Sequence, residues 1–245
     1  MSAGGARTRV AVIDYGVSNL RSVERALSAV GAEPVLTRDP RAVDGCAGVV
    51  LPGVGAFGAA VDALDALDLR TPVTAAVERG LPLLGVCLGF QLLFEWSDES
   101  GGRPGLGLLR GRITRIQPCR GKVPHMGWNR LRLRRPSALL EGVADGTWAY
   151  FVHSYAAPAD GDDVVAGCEY GGATLAAVCA RSGVYGTQFH PEKSGPQGLR
   201  LYANFLRICQ GQGGGRGEAP RTMGASAPED EPSSEPVAGQ QRAAS

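Results

Sequence analysis

"LPLLGVCLGFQLLFEW", residues 81–96, changes its hydrophobic period halfway along. Leu81–Val86 is short, continuous and apolar, the pattern of a buried strand, whereas Leu88, Leu92, Leu93 and Trp96 recur at helical spacing. Cys87 stands at the junction, framed by Gly85 and Gly89. A strand running straight into a helix needs a sharp turn, and flanking glycines let neighbouring backbone approach it. The apex residue projects from the C-terminal edge of the sheet, where open α/β folds place ligands. The start of a helix favours an anion there, and the N–H of Leu88 is free to face a developing oxyanion. Gly85-x-Cys87-x-Gly89 is the thiol form of the nucleophile elbow, G-x-S-x-G. A buried structural cysteine in a tight turn gives the same pattern, so the catalytic reading requires a base.

The chain has three histidines, His125, His153 and His190. His190 lies in "YGTQFHPEKS", residues 185–194, at the end of a predicted strand. Pro191 holds the residue before it extended. In an extended segment residues i and i+2 share a side, which predicts the Glu192 carboxylate beside the imidazole. Such a carboxylate fixes the tautomer and stabilises the imidazolium, the third role in a triad. "LPGVGAF", residues 51–57, ends another apolar strand. Backbone N–H groups around Gly53 and Val54 would complete an oxyanion hole with Leu88; a plain glycine turn is the alternative there.

Composition frames these motifs. Of 245 residues, 44% are hydrophobic and 20% charged, with net charge +1, an ordinary globular balance that gives nucleic acid no basic surface to bind. No segment reaches the ~20 apolar residues of a membrane helix, and Val10–Ile13 is too short for a signal-peptide core, so a cytoplasmic location is expected. The six cysteines (46, 87, 119, 168, 179 and 209) form no C-x-x-C pair and neighbour no histidine. Free thiols are expected, with neither disulfides nor zinc.

Strand and helix alternate in the first half: "RVAVIDY", a helix after Asn19, "EPVLT", "AGVVL", and helices around 57–67 and 71–79. From 106 to 189 the pattern is mostly strands, and a last helix spans 199–209. The expected fold is α/β, a central mostly parallel sheet with an antiparallel extension. Residues 1–8 read as a short extension and 9–210 as one domain. Residues 211–245 lack aromatic residues, leucine and isoleucine, which predicts a disordered tail.

Together these segments resemble the class I (triad) glutamine amidotransferases, a flavodoxin-like three-layer fold. Among them they resemble the glutaminase subunits of imidazole glycerol phosphate synthase, from histidine biosynthesis. The resemblance is carried by "DYGVSNLRSV" (14–23), "LPGVGAFGAAV" (51–61), "GVCLGFQLLFEWSDES" (85–100), "VPHMGWN" (123–129), "YFVHSYAA" (150–157) and "GTQFHPEKS" (186–194). It implies that glutamine is hydrolysed through a thioester on Cys87, with His190 protonating the leaving ammonia and Glu192 supporting it. It further implies that Gln91, Tyr150, His153, Ser154 and Tyr155 border the substrate, and that no cofactor is used. Asn19, Met126, Trp128 and Lys193 would face a partner, a (β/α)8-barrel cyclase that receives ammonia within a heterodimer. The hole at Gly53–Val54 would be misoriented until that partner binds its ligand. The tail and Val17 depart from the family pattern.

Four other readings compete. A glutaminase of pyridoxal phosphate synthesis would keep the triad but lack "PHMGWN". A dienelactone-type thiol hydrolase would place an Asp between nucleophile and histidine. A non-catalytic amidotransferase-like binding subunit, or a redox-sensing thiol protein, would leave Cys87, His190 and Glu192 without a joint purpose.

Overall fold

The computed structural model of the chain describes residues 6–16 and 19–212. Residues 1–5 of the extension, Val17, and the expected tail from residue 213 onward lie outside the described residues. The first half runs β1 (Arg9–Ile13), α1 (Leu20–Ala29), β2 (Glu33–Thr37), β3 (Val49–Gly53), α2 (Phe57–Ala66), α3 (Arg70–Glu78), β4 (Leu83–Cys87) and α4 (Leu88–Leu92). Short strands follow: β5 (Phe94–Ser97), β6 (Arg103–Pro104), β7 (Leu109–Arg115), β8 (His125–Arg130), β9 (Arg132–Leu133), β10 (Trp148–His153) and β11 (Tyr155–Ala156). The chain closes with β12 (Val164–Tyr170), β13 (Ala173–Arg181), β14 (Val184–Thr187) and α5 (Gly195–Cys209).

The main sheet has the order β2-β1-β3-β4-β14-β13-β12-β9. Its first five strands are parallel and β13, β12 and β9 extend it antiparallel. This is the expected mixed sheet, with the strand order reversing between β1 and β3. The parallel strands are apolar on both sides because both faces are covered. In β1, Val10 and Val12 enter one core with Val23 and Leu27 of α1 and Phe205 of α5. Ala11 and Ile13 enter the other with Phe57 and Leu64 of α2, Val73 of α3 and Phe90 of α4.

Three details differ from the sequence reading. The helix after Cys87 stops at Leu92, and Trp96 lies on β5. Phe94 and Ser97 pair there with Leu109 and Ile113 of β7, a tertiary competitor that helical spacing does not reveal. The segment "WNRLRLR" splits, β8 pairing with β10 in a separate ribbon while β9 joins the sheet edge. Finally, α5 begins a turn before residue 199.

The seam between β3 and β4 positions everything that follows. Gly53 lies in register beside Cys87. A Cβ on Gly89 would collide with the Leu51 carbonyl oxygen, and one on Gly85 would come within 2.8 Å of the Gly89 carbonyl and the Phe90 Cα. Backbone therefore packs on backbone at both glycines. Gly89→Ala is expected to destabilise the chain by at least about 1–3 kcal/mol through overpacking, although alanine favours helix. The measurement is urea unfolding, where the midpoint should fall; an unchanged midpoint would contradict the close approach.

Candidate active site

Cys87 ends β4 with φ 55° and ψ −106°, a conformation that a residue with a Cβ adopts only under constraint. The constraint is the seam: β4 is fully buried before the turn, and the glycine contacts fix the chain after it. The side chain is 6% exposed and faces a cavity. Because α4 has only five residues, dipole assistance from a long helix, as the sequence suggested, does not apply. What remains is local backbone N–H at the turn.

His190 follows β14 and is held from two sides. Its N–H donates to the Tyr150 carbonyl at 3.0 Å, and the Ser194 hydroxyl donates to its carbonyl at 2.7 Å. Nδ1 lies 2.8 Å from Glu192 Oε1. His190 is extended as Pro191 requires, but Glu192 reaches it through a 3-10 turn, Pro191–Lys193, rather than along a strand. The other carboxylate oxygen accepts from the Tyr202 hydroxyl at 3.4 Å. Burial alone would lower the His190 pKa, yet hydrogen bonds to Cys87 and Glu192, and the charge on both, hold it at about 9. The imidazolium is therefore the resting form near neutral pH.

Cys87 and His190 share a cavity of ≈ 300 Å³ with Val54, Gly55, Leu88, Gln91, Glu99, Pro124, Val152, His153, Ser154 and Tyr155. That is the small end of the ~300–1,000 Å³ range of small-molecule sites. Gln91 is anchored there by donating to the Tyr155 carbonyl at 2.8 Å and to Gln188 Oε1 at 3.0 Å. Gly53 stands behind the lining, beside Cys87 in the sheet. Tyr150 is not among the lining residues; its backbone braces His190 and Ser194.

His153 and His125 form a buried pair, Nε2 to Nδ1 at 3.0 Å. His153 Nδ1 faces the Tyr155 carbonyl at 2.9 Å and so carries a proton. Its Nε2 then accepts from His125 Nδ1–H, and His125 Nε2 accepts from the Asn129 amide at 3.2 Å. Burial lowers the His125 pKa to about 4. Burial also lowers that of His153 to about 3, outweighing the carbonyl bond, with the charges of His125 and His190 adding to it. Both are neutral, and of the two His153 lines the cavity.

On the opposite face of the β8–β10 ribbon, Met126 and Trp128 are 62% and 54% exposed, far beyond ordinary core residues. Trp128 packs edge-on to Tyr150 at 5.9 Å, and the Lys193 ammonium lies 5.9 Å from the same ring. Asn19 stands at the start of α1, where it accepts from the Ser22 hydroxyl. Sequence reasoning missed Glu99 and Tyr202. The first was an acidic residue within a quoted motif, the second one apolar-face residue among several. Among the described residues no group of three or more His, Cys, Asp or Glu is placed to hold a metal ion.

Residues 11–209 match the family model "Glutamine amidotransferase class-I". The "Imidazole glycerol phosphate synthase subunit HisH" of Geobacillus kaustophilus (strain HTA426) is 49% identical over 214 residues, covering 84% of this chain and 100% of the relative. The same-named protein of Thermococcus kodakarensis is 48% identical, covering 81% and 100%. Among solved structures, a glutamine amidotransferase superposes with TM-score 0.65 at 22% identity, covering 82% of this chain and 98% of that one. PurLQS from Thermotoga maritima gives 0.62 at 20% identity, covering 83% and 99%. At those identities the structures speak to the fold.

The raised His190 pKa has a defined sign. Its contribution to stability is complete below about 6.5, the ordinary histidine value, and is lost as pH rises through about 9. An NMR titration of the His190 ring should give a midpoint near 9, moved downward by Glu192→Gln. An ordinary midpoint in the parent chain would contradict the arrangement.

Proposed function

The chain belongs to the class-I glutamine amidotransferase family, and on that premise we propose that it is the glutaminase subunit of an imidazole glycerol phosphate synthase. One observation carries the chemistry: the Glu192–His190 pair, hydrogen-bonded and buried, meets the strained Cys87 at the cavity. The relatives named above are subunits of that synthase, which favours histidine biosynthesis over pyridoxal phosphate synthesis.

Cys87 sulfur attacks the side-chain amide carbon of glutamine as a thiolate. The carbonyl oxygen becomes an oxyanion, held by N–H groups of Leu88 and the Gly53–Val54 segment. Collapse breaks the C–N bond, and the His190 imidazolium gives its proton to the departing nitrogen, releasing ammonia and leaving a glutamyl thioester. Water then adds to the thioester, its proton passing to the now neutral His190; the C–S bond breaks and glutamate leaves. Glu192 keeps Nδ1 protonated and stabilises the cation throughout. Gln91 and Ser154 contact the substrate, and the Glu99 carboxylate in the cavity wall takes its α-ammonium group.

Ammonia released into neutral water becomes ammonium, which is not a nucleophile, so a synthase chain must dock over the cavity. Met126, Trp128 and Lys193 with Tyr150 form the face that receives it, with Asn19 at its margin. The partner is a (β/α)8-barrel cyclase in a heterodimer, fed through a shielded passage. Among the described residues no helix is long and apolar enough to cross a membrane; the assembly is assigned to the cytoplasm.

Cys87→Ala should abolish glutamine-dependent synthesis by the complex while ammonia-dependent synthesis persists. Both activities surviving would remove Cys87 from the role of nucleophile.

A further inference from the structure

The Tyr15 hydroxyl has no assigned part in this chemistry, yet its placement is unusual. Tyr15 follows β1 at the point where strand order reverses and is 2% exposed. Its ring packs in the core, but its hydroxyl finds no hydrogen-bond partner among the described residues. Leaving a buried hydroxyl unpaired costs about 1–3 kcal/mol, and phenylalanine would fill the same space without that cost. Burial, and then the neighbouring Cys87, push its pKa far up, so the oxygen keeps its proton and is a donor at any working pH.

The place where the donor points is specific. A Cβ on Gly53 would collide with the Tyr15 oxygen, and that same point lies 2.9 Å from the Gly89 nitrogen and 3.0 Å from the Leu88 Cβ. The hydroxyl thus lies against Gly53, in the seam where Gly53 faces the backbone of Leu88 and Gly89. Beyond Gly53 the segment reaches the surface: Val54 is 38% exposed, and Gly55 beside it sits at φ +97°. The absence of a side chain at Gly53 leaves its peptide groups within reach of the donor.

We propose that Tyr15 is a positioning residue for the oxyanion hole, its hydroxyl donating to a carbonyl of the Gly53–Val54 segment when substrate is bound and so aiming that segment's N–H at the oxyanion. The proposal rests on the glutaminase reading and adds to it a donor that acts through backbone rather than on substrate. Paired only in the reacting state, the hydroxyl contributes to turnover and not to the stability of the resting fold.

The test is Tyr15→Phe in the complex with the synthase partner, reading glutaminase kcat and KM beside thermal unfolding. The expected result is a kcat lower by about tenfold or more, less than the ~10²–10³ of deleting a hole donor itself, with KM within about twofold and a melting temperature unchanged or raised. Parental turnover in the variant would overturn the proposal and leave the glutaminase reading intact. A melting temperature lowered by several degrees, or failure to fold, would also overturn it, since the hydroxyl would then be a structural bond of the resting state. Absence of glutaminase activity in the parent complex would defeat the functional reading and this proposal with it.

Discussion

Cys87 holds a backbone conformation that its own Cβ disfavours, and the fold around it exists in a form that imposes it. The cost, of order 1–3 kcal/mol, is met by packing on both sides of the turn. β4 is buried between β3 and β14, and α4 presses its backbone against Leu51 where Gly89 allows contact. That same closeness sets Gly53 beside Cys87 and brings Leu88 under the cavity. The strained angle, the two glycines and the site's geometry are one constraint seen from three residues.

Electrostatics then divides three histidines into two kinds. His190 is buried, but the Glu192 carboxylate and the Cys87 sulfur meet it, and it stays protonated near neutral pH. His125 and His153 are buried with a carbonyl, an amide and each other, and they stay neutral. Partner chemistry decides the outcome more than depth does. The separation matters because a second cation beside His190 would weaken its hold on its own proton. The neutral pair instead bridges β8 and β10, the ribbon whose outer face carries Met126 and Trp128.

Much of this was legible in local pattern. The change of period at Cys87, the strand–helix alternation and the mixed sheet follow from hydrophobic spacing, because strands buried on both faces and helices buried on one leave different periods. His190 beside Glu192 was legible as adjacency but not as geometry: a 3-10 turn, closed by Lys193 N–H on the His190 carbonyl, brings them together. What stayed hidden depends on partners distant in sequence. β5 interrupts the expected helix because β7 offers it a neighbour; Tyr202 reaches Glu192 from α5; and the Tyr150 backbone braces His190 and Ser194.

The central claim is that the Cys87 sulfur becomes acylated by substrate. Mixing the complex with glutamine, quenching in acid on the millisecond scale and digesting for mass spectrometry tests it directly. One added glutamyl group is expected, on the peptide containing Cys87 and labile to hydroxylamine. Ammonia release with no such adduct, or an adduct on another residue, would contradict it.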